Sequence, residues 1–266
     1  MKNSLECIIR LSRPLGWKAY LWMAIIGYID GAKSLTFNPL FAYTILSYLA
    51  MAFAVNDLFD IDSDSSNPSK NNLLCSRRCD RKHVIFLLAN HILACLCLYV
   101  LDLSIFMLYM FMSCLAIAYS VPPIRLKGRS FLDVVSHAFF FGGLLYLYGY
   151  FTGGGEIHVL RWAKPILLSL YSIFLQLRNL REDRIYDMAA GDHTTAVAHP
   201  EASRLTLILT GLLLTVFSSA HLLSCAIPLT SIIFLVSFFL GYKLGWERFI
   251  DCLFVVSVTI SSWWSL

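Results

Sequence analysis

Residues 83–120 read HVIFLLANHILACLCLYVLDLSIFMLYMFMSCLAIAYS, and among them the one Asp, Glu, Lys or Arg is Asp102. Each half approaches the ~20 apolar residues that a helix needs to cross a bilayer. The apolar residues are continuous rather than alternating, which predicts helices and not the strands of a β-barrel. Asp102 leaves room only for a tight turn, so the stretch reads as a helical hairpin. Segments of the same kind recur on both sides of it. Nine are predicted, at about 15–32, 39–56, 83–101, 103–120, 131–152, 163–181, 204–222, 226–243 and 247–265.

The composition agrees. Of 266 residues, 58% are hydrophobic and 14% charged, with a mean hydropathy of +0.67. Too few polar side chains remain to cover the outside of a soluble domain of this size. Soluble enzyme folds and disorder are excluded, and the expectation is an all-α integral membrane protein, a single domain over 1–266. The net charge of +4 fits a basic membrane face and predicts no nucleic-acid partner. Five of the eight cysteines sit in apolar runs, and no disulfide framework is expected. Cys75 and Cys79 flank an Arg-rich loop without the partners of a metal site. No cleavable signal is read at the N-terminus.

Charge placement predicts orientation. On this map 18 of the 21 Lys and Arg residues lie on one side, and only Lys33, Arg161 and Lys164 on the other. By the positive-inside rule the N-terminus is cytoplasmic. Nine spans put the C-terminal Trp263 and Trp264 at the outer interface. The cytoplasmic face also collects thirteen acidic residues, seven of them in two dense clusters at 56–64 and 179–187.

The first cluster follows the apolar run from Pro39 to Val55. On a continuing helix Asn56, Asp60 and Asp64 share one face, with Asp57 and Asp62 pointing elsewhere. The second follows the run from Pro165 to Leu177, where Asn179, Asp183 and Asp187 repeat the spacing. Stacked carboxylates repel and need cations. Hard oxygen donors in this number suit Mg²⁺, which uses one or two carboxylates together with substrate phosphates. Between the clusters, Tyr119-Ser120-Val121-Pro122-Pro123 ends a helix. Arg125, Lys127 and Arg129 then fall at alternate positions of an expected extended stretch, as cations fit to grip phosphate. His91 and His137 lie in apolar helices and read as structural. Gly153 to Gly155 reads as a flexible outer loop. Phe139–Phe141, Tyr146, Tyr148 and Tyr150 read as lipid-facing or cavity-lining.

These motifs resemble those of the UbiA superfamily of intramembrane prenyltransferases. The first motif is matched by Asn56, Asp57, Asp60 and Asp64, and the second by Asp183, Asp187, Gly191 and Thr194. The stretch Tyr119 to Lys127 and the opening Arg13-Pro14 also match. The resemblance implies nine helices around a central cavity, with both Asp motifs facing it near the cytoplasmic side of the cell membrane. It implies a Mg²⁺-dependent transfer of a prenyl group from a polyprenyl diphosphate to a lipophilic acceptor, with release of pyrophosphate. Asp60, Asp64, Asp183 and Asp187 would bind Mg²⁺, and Asn56 would help hold that site; Asn179, placed by the repeated spacing, is a further substrate-binding candidate. Arg125 and Lys127 would contact the diphosphate, and Tyr119 would face the allylic carbon. The chain departs from the family after Asp64, where Lys70 or Arg77 is the candidate replacement for a missing cation, and at Glu182 and Met188, where relatives often carry Arg. Alternatives are a terpene cyclase of the same fold, transfer of a polyprenyl-phosphate to a sugar phosphate, and a cation transporter. Transport predicts acids at mid-helix, whereas here they stand at helix ends.

Overall fold

The computed structural model describes residues 4–36, 38–65, 72–224 and 245–263. Lys70, Trp264 and the predicted segment 226–243 lie outside them. The described residues are helical, without strands; one isolated bridge joins Arg129 and His193. The helices are α1 (Ser4–Leu11), α2 (Lys18–Ala32), α3 (Pro39–Phe59), α4 (Ile61–Ser65), α5 (Arg81–Leu101), α6 (Leu103–Ser120), α7 (Leu132–Ala138), α8 (Leu144–Thr152), α9 (Ala163–Ala190), α10 (Thr195–Ala198), α11 (Pro200–Ser224) and α12 (Trp246–Trp263). A π turn, Phe139–Gly143, joins α7 to α8 into one span. Five of the described helical stretches are long and apolar enough to cross a membrane: Pro39–Phe59, Arg81–Leu101, Leu103–Ser120, Leu132–Thr152 and Pro200–Ala220.

The hairpin predicted at Asp102 forms for a local reason. Its carboxylate caps α6 by accepting from the Ser104 and Ile105 amides at 2.9 and 3.0 Å, while its own amide closes α5 on Leu98. At the start of α3, Asn38 caps the Phe41 amide at 3.1 Å, and Pro39 needs no partner for an amide.

Two glycine pairs bring α2 and α8 together. Gly27 and Gly31 on α2 meet Gly149 and Gly153 at α8, each pair spaced by four residues. A Cβ on Gly27 would strike the Tyr146 carbonyl, and one on Gly149 the Ala24 carbonyl. Backbones this close are the small-residue packing that substitutes for hydrophobic drive between helices in lipid. Gly153 is therefore a packing residue, and the expectation of a flexible loop fails there. Gly27→Val is expected to lower the thermal midpoint in detergent by several degrees, since overpacking against backbone costs about 1–3 kcal/mol or more. An unchanged midpoint would refute the close crossing.

The aromatic core also corrects the sequence reading. Tyr146, Tyr148 and Tyr150 face neither lipid nor cavity. They are buried, and their hydroxyls meet Asp30, Thr44 and the Glu156 carbonyl. Phe139 is exposed, while Phe140 and Phe141 are buried at the cavity. Cys7 and Cys79 form a disulfide that ties α1 to the loop after the first acidic cluster. The cysteine reading had no means to find it, because the partners stand far apart in the chain.

Candidate active site

A cavity of about 520 Å³ opens among α3, α6, α7 and α9. Its lining includes Asn56, Asp60 and Asp64 from the first cluster and Asn179, Asp183 and Asp187 from the second, with Tyr119 and Lys127. The two stripes, distant in sequence, thus line one cavity.

Each stripe has a backbone cause. α3 ends at Phe59, and Asp60 takes φ −103° and ψ 7° before α4 resumes. The break does not shift the register. The Asp60 amide still donates to the Asn56 carbonyl at 3.0 Å, and the Asp64 amide to the Asp60 carbonyl at 2.8 Å. Asn56, Asp60 and Asp64 consequently stay on one face. The 28 residues of α9 extend about 42 Å, longer than the ~30 Å hydrocarbon core, so its last turns carry Asp183 and Asp187 past the apolar run. Gly191 ends that helix with φ +78°, a left-handed conformation that glycine adopts without strain.

Off-stripe residues do other work. Asp57 is 2% exposed and pairs with Arg13 at 2.9 Å. Asp62 is exposed and outside the cavity. The buried Asn72 donates to the Asp57 carbonyl at 2.7 Å and to Asp64 Oδ2 at 2.9 Å, and so orients the Asp64 carboxylate.

The basic stretch is not extended, as the sequence reading expects. Arg125 is left-handed with φ 37°, and Leu126–Gly128 make a 3-10 turn that sends the three cations apart. Lys127 Nζ meets the Asp60 carboxylate and, at 3.1 Å, Asn56 Oδ1. Arg125 makes a two-pronged contact with Asp192 at 3.3 and 3.0 Å and lies 3.7 Å from Asp60. Arg129 donates to the Pro123 carbonyl, away from the cavity. The Lys127 side chain is only 11% exposed. Burial lowers its pKa from the ordinary value, and the Asp60 carboxylate offsets part of the shift. For Arg125 burial also works against the charge, but the Asp192 bond and charge outweigh it and the pKa rises.

The turn is stitched to the end of the second motif. The His193 amide donates to the Gly128 carbonyl at 3.1 Å, and the Phe131 amide to Thr195 Oγ1 at 2.8 Å. Asp133, fully buried, accepts from the Thr195 amide at 2.6 Å and from its hydroxyl. Asp192, Asp133, Thr195 and Gln176, which donates to the Tyr119 hydroxyl at 2.7 Å, escaped the sequence reading. Arg77 is exposed and not among the lining residues.

Among the described residues no three His, Cys, Asp or Glu side chains converge on a metal position. The wall instead offers carboxylates in ones and twos. That is how Mg²⁺ is held when water and phosphate complete its six oxygens.

Comparison with known proteins gives the family and the fold. Residues 19–251 match the UbiA prenyltransferase family. The chain is 35% identical over 142 residues to the lycopene elongase/hydratase of Haloarcula japonica, covering 50% of this chain and 48% of that protein. It is 29% identical over 136 residues to that of Haloferax volcanii, covering 49% and 45%. These alignments span about half the length of the curated relatives. In fold it resembles a UbiA homologue from Archaeoglobus fulgidus solved with DMAPP and Mg²⁺, with a TM-score of 0.69 at 19% identity over 96% of this chain and 98% of the other. A digeranylgeranylglyceryl phosphate synthase aligns with a TM-score of 0.62 at 16% identity over 97% and 98%. Because the family match runs through both acidic helices and the basic turn between them, this multi-pass membrane protein belongs to the UbiA prenyltransferase family.

Proposed function

We propose that the protein transfers a prenyl group from a polyprenyl diphosphate to a lipophilic acceptor, with release of pyrophosphate. One observation carries this reading: both Asn-x-x-x-Asp-x-x-x-Asp stripes and Lys127 line one cavity together with the aromatic rings of Tyr20, Phe53, Tyr119, Phe140 and Phe141. Asp60, Asp64, Asp183 and Asp187 would hold Mg²⁺, with Asn56 and Asn179 beside them. When bound, Mg²⁺ supplies the positive charge that stabilises a leaving diphosphate. Lys127 lines the cavity and would contact phosphate oxygens there; Arg125 is not among the lining residues, but stands beside it, held by Asp192 and 3.7 Å from Asp60, and would reach a phosphate bound at that carboxylate. Tyr119, Phe140 and Phe141 offer ring faces to an allylic cation and keep water from it. Likeness to the lycopene elongase/hydratases favours an apolar polyene such as lycopene as acceptor.

The protein would act as one domain of nine helices in the cell membrane, its lipid bilayer the source of the acceptor, with the N-terminus and cavity mouth cytoplasmic. The ion pairs respect that orientation. Arg13 and Asp57 are assigned to one side, Asp30 and Lys164 to the other. Thr36→Cys is expected to react with an impermeant thiol reagent on intact cells, and Ser65→Cys only after lysis, in a chain cleared of free cysteines. Labelling of position 65 from outside would reverse the map.

The deciding assay is pyrophosphate release from geranyl diphosphate with Mg²⁺, with and without lycopene, and analysis of the lipid product. A prenylated lycopene supports the reading. A cyclic product formed without acceptor supports cyclisation instead.

A further inference from the structure

Below the acidic rim, one ionisable ring is set into the aromatic wall. His137 on α7 is 4% exposed and lines the cavity beside Tyr20, Tyr119, Phe140 and Phe141. Its Nδ1 lies 2.9 Å from Ser172 Oγ. That hydroxyl has one proton, and it also lies 3.0 Å from the carbonyl oxygen of His137, which can only accept. Were the proton turned toward Nδ1, two oxygen lone pairs would face each other at that distance. The hydroxyl therefore donates to the carbonyl, and Nδ1 carries the hydrogen donated to Ser172. The lone pair of the neutral ring is thereby placed on Nε2. Among the described residues the ring nitrogens meet only Ser172 and Tyr20, so an imidazolium would stand as an unpaired buried charge. The contact of Nε2 with the Tyr20 hydroxyl is long, at 3.4 Å. Around it stand the rings of Phe141, Phe140 and Tyr119, with centroids at 5.1, 5.6 and 6.0 Å.

We propose that His137 Nε2 is the base that takes the proton lost when the prenyl cation is quenched. The proposal rests on the prenyl-transfer reading above. Cleavage of the C–O bond sends its electron pair away with the diphosphate and leaves an allylic cation. Attack by an acceptor double bond makes a C–C bond and moves the positive charge to an acceptor carbon. Loss of a proton from the neighbouring carbon turns that C–H pair into a new double bond, and the proton bonds to Nε2. The imidazolium then returns it to water or to pyrophosphate. No charge is created in the apolar wall, because the cation passes from carbon to the ring, and the same aromatic faces attend both. The other described lining groups are less suited. The four motif aspartates stand at helix ends with the exposed Glu182, Asp192 is paired with Arg125, Lys127 and Arg13 are cations, and the Tyr119 oxygen already accepts from Gln176 at 2.7 Å.

His137→Asn separates the two nitrogens, since its amide can still donate to Ser172 while the base is gone. The probe is geranyl diphosphate with Mg²⁺ and no acceptor, read by gas chromatography against pyrophosphate released. A cation that loses a proton yields an acyclic triene, and one captured by water yields an alcohol. The ratio of triene to alcohol is expected to fall about a hundredfold in His137→Asn, the lower end of what a positioned base contributes. Ser172→Ala, which keeps the ring but frees its tautomer, should show a smaller fall of the same sign and serves if the first variant does not fold. An unchanged ratio in either folded variant overturns the proposal, and would make pyrophosphate or water the base. The readout needs no acceptor, so a failure of lycopene as acceptor is a separate result.

Discussion

Asp60→Asn, Asp64→Asn, Asp183→Asn and Asp187→Asn are each expected to lower Mg²⁺-dependent turnover by about 10²–10³-fold, the loss that follows removal of one electrostatic contact to developing charge. All four line one cavity, and two helices far apart in sequence supply them in pairs. Carboxylates gathered around one cavity repel one another until a cation relieves them. Metal and diphosphate should therefore bind cooperatively, and EDTA should abolish turnover. Asp62→Asn should be near neutral, since Asp62 points out of the cavity. A double substitution across the two motifs should cost far less than the sum of the singles, as for residues acting as a unit. Turnover at saturating Mg²⁺ checks these outcomes. Equal damage from Asp62→Asn and Asp60→Asn, or full activity in EDTA, would refute the shared site.

Lys127→Met should be of similar severity for a different reason. With no cation bound, the Lys127 amine neutralises Asp60, and it is held there by Asn56 Oδ1 at 3.1 Å. A Mg²⁺ ion drawn to Asp60 would compete for that carboxylate and release the amine toward phosphate. Loss of the amine is thus expected to raise the KM for geranyl diphosphate and to lower turnover by about 10²-fold. The Mg²⁺ concentration for half-maximal rate should fall, because the amine no longer competes for Asp60 and only the more distant Arg125, at 3.7 Å, remains. Lys127→Arg should rescue poorly, since a planar fork does not fit where a compact ammonium sits between Asp60 and Asn56. A variant that needs more Mg²⁺ than the parent would contradict the exchange.

The membrane class, the Asp102 hairpin and the two acidic stripes were legible in the chain because each depends on neighbours within a few residues. Hydropathy sums over adjacent side chains, and a helix puts residues four apart on one face even across the short break at Asp60. What the tertiary structure alone decided depends on partners distant in sequence. The three cations of the basic turn look alike in one dimension, yet Lys127 goes to Asp60, Arg125 to Asp192 and Arg129 to a carbonyl. Asp57 differs from Asp60 only in facing Arg13, and Asp133 matters through Thr195. The Cys7–Cys79 pair and the α2–α8 glycine contact likewise join segments with no common local signal. A buried polar group takes its role from whatever satisfies it. For Gln176 and His137 those partners, Tyr119 and Ser172, lie on other helices and are set beside them only by packing.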